Sequence, residues 1–415
     1  MSVGIEKISF YTGRCYLNIA DLTHARGEDT AYIKTRLMCE ARSVIPVWED
    51  TVTLAVNAAL RLLSHEDRET IELLIVGTES AVDFGKPIST WVHRFCNLSP
   101  NCRSFEIKHA CYSGTGALKM AAHWVASMPP GKKALVINSD YSRPHNAKNL
   151  EAQESGHSHE FILGGCAVAM LVSADPQVLS LDLAKAGYWT QEIPDSFRPT
   201  AQDEMGNQQV SLYAYLDALE GAYEHFEARV GTINYDQYFK KHIYHAPFPG
   251  MTLQAHRTLL NRFGVTNKTE IQDSFHQKVA ESLYFARRIG TSYGASNFVS
   301  LLGLVQSAPD VEPGDAISFY SYGSGCQGEF YSATLGSGAK AWVQGLNLDE
   351  QLKTRFHLEV ADYEANEQER TATMAQRTYI PNRTGLNGAY AHAYQGQGLL
   401  VLLNVENFYR EYIWS

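Results

Sequence analysis

KHACYSGTGALKMAAHWVASM, residues 108–128, contains the junction that decides the fold. Residues 104–110 have a strand-like pattern, and residues 114–128 are rich in Ala, Leu and Met, as in a buried helix. Cys111 therefore lies where a strand ends and a helix begins. The positive end of a helix dipole favours a thiolate there, and Gly114 and Gly116 allow other backbone to approach closely. Taken locally, Cys111 is either a reactive thiol or a small core residue like the other six cysteines.

Helix and strand patterns alternate along the rest of the chain. Before the junction, apolar residues from Val52 to Leu63 fall on one helix face and precede an apolar run at 73–76. After it, the patterns predict strands at 134–139, 167–173, 242–246, 316–322, 329–335 and 398–405, and helices at 212–228, 252–263, 274–288 and 293–306. This alternation is typical of an α/β protein, and the similar order of elements in the two halves suggests a duplicated layered fold.

The composition is that of a folded, acidic protein. The 415 residues include 35 Lys+Arg and 45 Asp+Glu, a formal net charge of −10, so no overall basic field exists to attract nucleic acid or an anionic membrane. No apolar run approaches the ~18 residues of a membrane-spanning helix, and the first residues lack a secretory pattern, which together predict a cytoplasmic location. The cysteines form no CxxC pair and HSHE at 157–160 lacks a third spaced ligand, so neither disulfides nor a metal is expected.

Three further stretches place polar groups at predicted strand ends. Glu79 follows the strand at 73–76, where α/β folds bind ligands and where partial burial suits a carboxylate to general-base catalysis. His245 ends the strand at 242–246, and Gly323 and Ser324 lie in SYGSG at 321–325, whose exposed amides could hold an oxyanion. Each also has an ordinary interpretation, namely a solvated loop acid, a core histidine and a plain hairpin. Nucleotide binding and serine hydrolysis have no supporting motif.

In their order along the chain, six motifs resemble the 3-hydroxy-3-methylglutaryl (HMG) synthase family of the thiolase superfamily: GTES (77–80), ACYSGTGAL (110–118), SDYSRP (139–144), GGCAVAML (164–171), YHAPF (244–248) and SYGSG (321–325). The resemblance extends to FRP at 197–199, AYLDALEGAY at 214–223 and the C-terminal residues 398–415. It implies a thiolase-like, five-layered α-β-α-β-α fold made of two duplicated halves, residues 1–175 and 176–415. It also implies a homodimer that uses no metal or organic cofactor.

The resemblance implies a role for each candidate residue. Cys111 matches the acyl-accepting nucleophile, Glu79 the general base, and His245 the acid that polarises the second substrate. The backbone amides of Cys111 and Ser324, beside Gly323, match the groups that hold the thioester oxyanion. Thr291 and Tyr293 match the substrate-binding motif, although Thr291 stands where the family usually has an asparagine.

Two departures from the family pattern concern the substrate carrier. Synthases that use coenzyme A have lysines just after the histidine, positioned for phosphates, whereas this chain reads HAPFPGMT at 245–252 and its first cation there is Arg257. Arg143 and Pro144 also replace the expected tyrosine-containing stretch. A carrier-tethered substrate does not need a nucleotide clamp, so the chain most resembles the HMG synthases of polyketide β-branching cassettes.

Such an enzyme takes acetyl from a donor acyl carrier protein (ACP) and condenses it with a β-ketoacyl group on an acceptor ACP. Two alternatives remain open, a CoA-dependent HMG-CoA synthase of the mevalonate pathway and a non-catalytic subunit that only docks carriers. Because carriers are usually acidic, docking requires a local basic surface. The densest N-terminal group of cations includes Arg36 and Arg42, which we predict as docking residues.

Overall fold

The computed structural model describes residues 2–142, 156–200 and 205–415. Its strands are β1 Gly4–Tyr11, β2 Cys15–Asn18, β3 Ala41–Val44, β4 Ile71–Gly77, β5 Arg103–Ile107, β6 Lys133–Tyr141, β7 Gly165–Ser173, β8 Leu179–Thr190, β9 Ser196–Phe197, β10 Met205–Gly206, β11 Lys241–Tyr244, β12 Ala316–Gly323, β13 Gln327–Leu335, β14 Phe356–His357, β15 Leu400–Glu406 and β16 Tyr409–Trp414.

The α-helices are α1 Ile19–Arg26, α2 Thr30–Leu37, α3 Thr51–Ala59, α4 His65–Thr70, α5 Ser89–Phe95, α6 Ser113–Ser127, α7 Gln208–Val230, α8 Tyr235–Tyr238, α9 Met251–Arg262, α10 Lys268–Lys278, α11 Ser296–Ser307, α12 Ala339–Gly345, α13 Leu348–Lys353, α14 Val360–Thr373 and α15 Ala389–Ala393. Short 3₁₀ turns lie at Gly156–Ile162, Ala280–Leu283, Ala286–Arg288, Tyr293–Ala295 and Leu386–Gly388. Within the described ranges, no helix is both long enough and apolar enough to cross a bilayer.

The central sheet consists of two halves with the same pattern of parallel and antiparallel strands. The order is β11-β12-β13-β8-β1-β7-β6-β4-β5, and only the pairs Gly4 with Ser180 and Ile5 with Leu179 join β1 to β8. In the first half, β4 and β6 are parallel and are followed by antiparallel β7 and β1. In the second half, β11 and β12 are parallel and are followed by antiparallel β13 and β8. The predicted α/β class and duplicated architecture are confirmed.

Buried residues on both faces of each half-sheet produce the layers. On β4, Leu73 and Ile75 join the core shared with α6 and α11, whereas Leu74 and Val76 face α3 and α5. On β12, Phe319 faces the same central helices, while alternate residues of that strand pack against α7, α9 and α10. Because side chains alternate along a strand, each half-sheet is covered on both sides. The five-layered α-β-α-β-α prediction is confirmed.

Glycines bring the central helices to the positions that the site needs. A Cβ on Gly114, at the start of α6, would lie 2.4 Å from the Gly294 carbonyl oxygen, just before α11. A Cβ on Gly77, at the end of β4, would lie 2.9 Å from the Ser113 carbonyl carbon. Backbones this close exclude any side chain at these positions. The ends of β4, α6 and α11 therefore meet at one point.

The sequence patterns predicted neither β1 nor β8, and two predicted elements have different bounds in the structure. The helix predicted at 274–288 is α10, which begins earlier, at Lys268, and ends at Lys278; two 3₁₀ turns follow, and in the first of them Ser282 Oγ donates to the Val279 carbonyl (2.7 Å). The C-terminal strand continues into a hairpin of β15 and β16, which is paired from Leu400 with Trp414 onward. The predicted boundary at 175–176 falls in the connection between β7 and β8.

Candidate active site

The nucleophile candidate lies in a tight turn between β5 and α6. Ala110, immediately before Cys111, has φ of 40°, a conformation that costs a non-glycine residue on the order of 1 kcal/mol. The Tyr112 amide donates to the His109 carbonyl (3.0 Å), and α6 begins at Ser113. Of the seven cysteines, only Cys111 is partly exposed, which sets it apart from the other thiols. Burial raises the pKa of all six other thiols, for example to about 12 for Cys96.

Glu79 contacts the nucleophile directly. Its Oε1 lies 3.5 Å from Cys111 Sγ, which donates to it. The Glu79 amide donates to Asp140 Oδ1 (2.8 Å), which also accepts from the Thr78 and Ser80 hydroxyls (2.9 and 2.6 Å). This contact exists because β4 and β6 are neighbouring parallel strands that end at the same edge. Burial raises the pKa of Asp140, although its hydrogen bonds oppose the shift.

His245 is buried at the end of β11. Its amide donates to the Tyr320 carbonyl (2.7 Å), and its Nδ1 is 2.6 Å from Ser296 Oγ at the start of α11. Tyr215 from α7 donates its hydroxyl to the His245 carbonyl (2.8 Å). Burial lowers the pKa of His245 to about 3, so the imidazole is neutral at pH 7. A neutral ring with Nδ1 engaged leaves Nε2 to interact with a substrate.

Tyr322, near the end of β12, lies beside His245. Its ring centroid is 6.4 Å from that of His245, and its hydroxyl donates to Asp195 Oδ2 (2.7 Å). Burial raises the pKa of Tyr322, and Asp195 and Cys111 add to the increase. The structure thus places Glu79 against Cys111, and Tyr322 against His245.

The 321–325 stretch is the hairpin between β12 and β13 and also borders the nucleophile. A Cβ on Gly323 would lie 2.7 Å from the Tyr112 amide nitrogen. The Gly325 amide donates to Asp195 Oδ1 (2.8 Å), which holds the loop in place. Ser324 lines an open groove of about 380 Å³ together with Ala110. The stretch is therefore a hairpin, and its position beside the nucleophile turn also allows its amides to hold an oxyanion.

Thr291 and Tyr293 lie beside the same turn. Thr291 Oγ1 accepts from the Tyr293 amide (3.5 Å), and the Tyr293 hydroxyl donates to Ser142 Oγ (3.0 Å). Tyr293 has φ of 49°, and a Cβ on the next residue, Gly294, would lie 3.0 Å from the Cys111 carbonyl oxygen. Both residues are thus close to the nucleophile, and their roles in substrate binding stay predictions. Arg143 and Pro144 lie outside the described residues.

Of the two predicted docking residues, Arg36 stays a prediction and Arg42 is wrong. Arg36 is exposed on α2 and hydrogen-bonds Tyr32 of the same helix. Arg42 is buried, donates to the Glu160 carbonyl (2.5 Å) and lies 4.6 Å from the Tyr363 ring centroid. A guanidinium enclosed in this way cannot meet a partner surface, so Arg42 is a structural residue.

Several site residues were not predicted from the sequence. Asp140, Asp195 and Ser296 contact Glu79, the glycine hairpin and His245 respectively. Their contacts join residues 51 to 130 positions apart, and of the three only Asp140 belongs to one of the six motifs. Among the described residues, no group of three or more His, Cys, Asp or Glu side chains is arranged to hold a metal ion.

Comparison with known proteins gives a consistent result. Residues 1–175 match the hydroxymethylglutaryl-coenzyme A synthase N-terminal model and residues 251–411 match the C-terminal model. The chain is 37% identical over 369 residues to the polyketide biosynthesis 3-hydroxy-3-methylglutaryl-ACP synthase PksG of Bacillus subtilis, covering 88% of this chain and 87% of that protein. It is 32% identical to a hydroxymethylglutaryl-CoA synthase of Enterococcus faecalis, with coverage of 88% and 91%.

Solved structures agree over the full length. The HMG synthase of the curacin biosynthetic pathway superposes with a TM-score of 0.92 at 34% identity, and both chains are covered completely. The same synthase in complex with acetyl donor-ACP superposes with a TM-score of 0.93 at 35% identity, again with complete coverage. The chain is an enzyme and belongs to the hydroxymethylglutaryl-coenzyme A synthase family.

Proposed function

We propose that this enzyme is an HMG-ACP synthase of polyketide β-branching, which condenses acetyl from acetyl-ACP with a β-ketoacyl-ACP. The similarity to PksG over 88% of the chain carries the proposal. The turn after His245 supports it, because residues 246–252 contain no cation and Arg257 is the first. A phosphopantetheine arm on a carrier has no nucleotide phosphates for such a cation to hold.

The first step is acetyl transfer to Cys111. Glu79 accepts the thiol proton across the 3.5 Å contact, and the thiolate attacks the acetyl carbonyl. A new carbon–sulfur bond forms, the bond to the phosphopantetheine sulfur breaks, and that sulfur leaves with the proton from Glu79. The developing oxyanion is held by the amides of Cys111 and Ser324.

The second step is condensation. Glu79 removes a proton from the acetyl methyl group, and the resulting carbanion attacks the β-ketone of the acceptor chain. His245 is neutral because burial lowers its pKa to about 3, so it acts as an N–H donor that stabilises the new alkoxide. The protonated Glu79 is the group that can supply the final proton. Water then hydrolyses the thioester to Cys111 and frees the enzyme.

Carrier docking beside this site fits the position of α2. A Cβ on Gly250 would lie 2.1 Å from the Arg36 carbonyl oxygen, so α2 packs on the turn that follows His245. Arg36 and Lys34 are exposed on this helix. A local basic surface there suits an acidic carrier despite the net charge of −10. Arg36→Glu should raise the KM for acetyl-ACP about tenfold, and Lys353→Glu, an exposed control at the end of α13, should leave the KM unchanged.

Intact-protein mass spectrometry tests the proposed function. Acetyl-ACP should add one acetyl group to Cys111 at least tenfold faster than acetyl-CoA at equal concentration, and Cys111→Ala should take up none. Equal labelling by acetyl-CoA would favour the CoA-dependent alternative. Branching activity that survives in Cys111→Ala would reject catalysis through this thiol and leave the carrier-docking alternative. A homodimer, the acceptor ACP, the absence of a cofactor and a cytoplasmic location stay predictions.

A further inference from the structure

A buried pair of opposite charges lies behind the nucleophile. Lys119 on α6 and Glu329 on β13 are 8% and 1% exposed, and Lys119 Nζ lies 3.4 Å from Glu329 Oε1. The ammonium group also lies 4.0 Å from the centroid of the Tyr331 ring. Neither residue belongs to the reaction described above. Charges this deeply buried are costly, and removing one partner leaves the other uncompensated.

Tyr112 connects this pair to Cys111. Its hydroxyl donates to Glu329 Oε2 (2.6 Å). Tyr112 and Lys119 are seven residues apart, two turns of α6, so both lie on the face toward β13. A Cβ on Gly116 would lie 3.1 Å from the Tyr112 ring, so this glycine gives the ring room to lie along the helix. The second glycine of the nucleophile motif therefore serves Tyr112.

The same tyrosine reaches both sides of the proposed oxyanion site. It directly follows Cys111, and a Cβ on Gly323 would lie 2.7 Å from both its amide nitrogen and its Cβ. Glu329 is paired with Ser321 across β12 and β13, two positions from the Gly323–Gln327 pair that closes the hairpin. The Tyr112–Glu329 hydrogen bond thus ties the Cys111 turn to the strand that carries the hairpin.

Several titratable groups surround the pair and the thiol. Burial lowers the pKa of Lys119, and Glu329 and then Asp182 on β8 oppose the shift. Burial and the carboxylate of Glu329 raise the pKa of Tyr112, to which Tyr188 and Tyr331 contribute. Beside Cys111 lie Glu79, which follows β4, and Tyr322 from β12, and Arg198 donates to the Glu79 carbonyl (3.4 Å). Lys119 is thus the cation that neutralises Glu329.

We propose that Lys119 and Glu329 are positioning residues for acetyl transfer to Cys111. Glu329 fixes Tyr112, and with it the turn and the hairpin, while Lys119 cancels a negative charge that would otherwise oppose the thiolate. The proposal rests on the proposed role of Cys111 as nucleophile. It predicts that the two single neutralisations perturb the thiol in opposite directions.

Alkylation of Cys111 by iodoacetamide, followed by peptide mass spectrometry across pH 6 to 10, measures this effect without any acyl substrate. In Lys119→Met the pH of half-maximal alkylation should rise by about one unit, because an unpaired carboxylate remains nearby. In Glu329→Gln it should fall, because an unpaired ammonium remains. The double variant should return close to the wild-type value. Lys132→Met, which breaks a partly exposed ion pair with Glu72, is the matched control and should not shift this pH.

Acetylation by acetyl-ACP is the second readout. Both single variants should lose about tenfold or more in the rate of acetylation with little change in KM, since the docking surface is untouched. Tyr112→Phe removes the hydrogen bond to Glu329 and should reduce the rate of acetylation. Because it changes no charge, it should leave the pH of half-maximal alkylation unchanged. This variant keeps the test available if a charge variant does not fold. If the pH of half-maximal alkylation shifts in the same direction in the two single variants, or does not shift in either, the proposal is overturned. Because alkylation needs no acyl donor, that result is separate from failure of the acetyl-ACP assay.

Discussion

Substituting Gly323 with alanine tests whether the hairpin must touch the nucleophile turn. The new Cβ would lie 2.6 Å from the His109 carbonyl oxygen and 2.7 Å from both the amide nitrogen and the Cβ of Tyr112. Ordinary contacts begin at 3.4 Å, so the hairpin and the turn must separate by about 0.7 to 0.8 Å. The neighbouring atoms are mostly backbone, so no side-chain rotation can relieve the clash.

A displacement of this size has two measurable consequences. Overpacking should lower the free energy of unfolding by about 1–3 kcal/mol. A shift approaching 1 Å between catalytic groups should lower the rate of Cys111 acetylation about 100-fold, with a smaller change in KM. Stopped-flow acetylation followed by quench and mass spectrometry measures the rate, and urea denaturation measures the stability.

Gly345→Ala provides the control. Gly345 ends α12, has no atom within 4 Å of an added Cβ and needs no positive φ, so alanine should be neutral or slightly stabilising there. Acetylation by Gly323→Ala within threefold of the wild-type rate, at unchanged stability, would refute the requirement for close contact between the hairpin and the turn.

Three further predictions concern the base, its support and a buried histidine. Glu79→Gln should acetylate Cys111 at a reduced rate yet lose condensation by about 10²–10⁴-fold, so acetyl-enzyme should accumulate in mass spectra; normal product formation would exclude Glu79 as the base. Asp140→Ala leaves the Thr78, Glu79 and Ser80 donors without their acceptor and should cost about 1–3 kcal/mol in urea denaturation, against little loss for Asp182→Ala on the exposed side of β8. Burial lowers the pKa of His256 to about 4, so below pH 6.5 the unfolded chain binds more protons than the folded chain. The free energy of unfolding therefore decreases as the pH is lowered. Between pH 7.5 and 5.5 the wild type should lose about 1.4 kcal/mol more than His256→Gln, and parallel curves would contradict this.

The elements that depend on local pattern were predictable from the sequence. The strand-to-helix junction at Cys111 and the buried apolar strand β4 come from residues close in the chain, and each is present at nearly the predicted position. The supports of the site were not predictable, because they join distant residues. Asp140 reaches Glu79 only because their strands are neighbours, and a sequence does not state the strand order.

Charged residues were the hardest to place from the sequence. Lys119 belongs to a helix whose buried face is otherwise apolar or small, and its partner Glu329 is 210 positions away, so nothing local indicates burial of either. Arg42 was misplaced for the related reason that arginine is usually exposed. Burial of a cation is decided by the acids, carbonyls and rings that other elements bring to it, as Glu160 and Tyr363 do for Arg42.

The place of β1 in the sheet has a consequence for synthesis on the ribosome. The first strand of the chain pairs with β7, as Tyr11 does with Ala167, and then touches β8 at Leu179. About 150 residues must therefore be made before β1 finds its partners, a delay on the order of 10–30 s at ordinary elongation rates. Throughout that interval β1 has no strand with which to pair, so the nascent chain can aggregate until β7 has been synthesised.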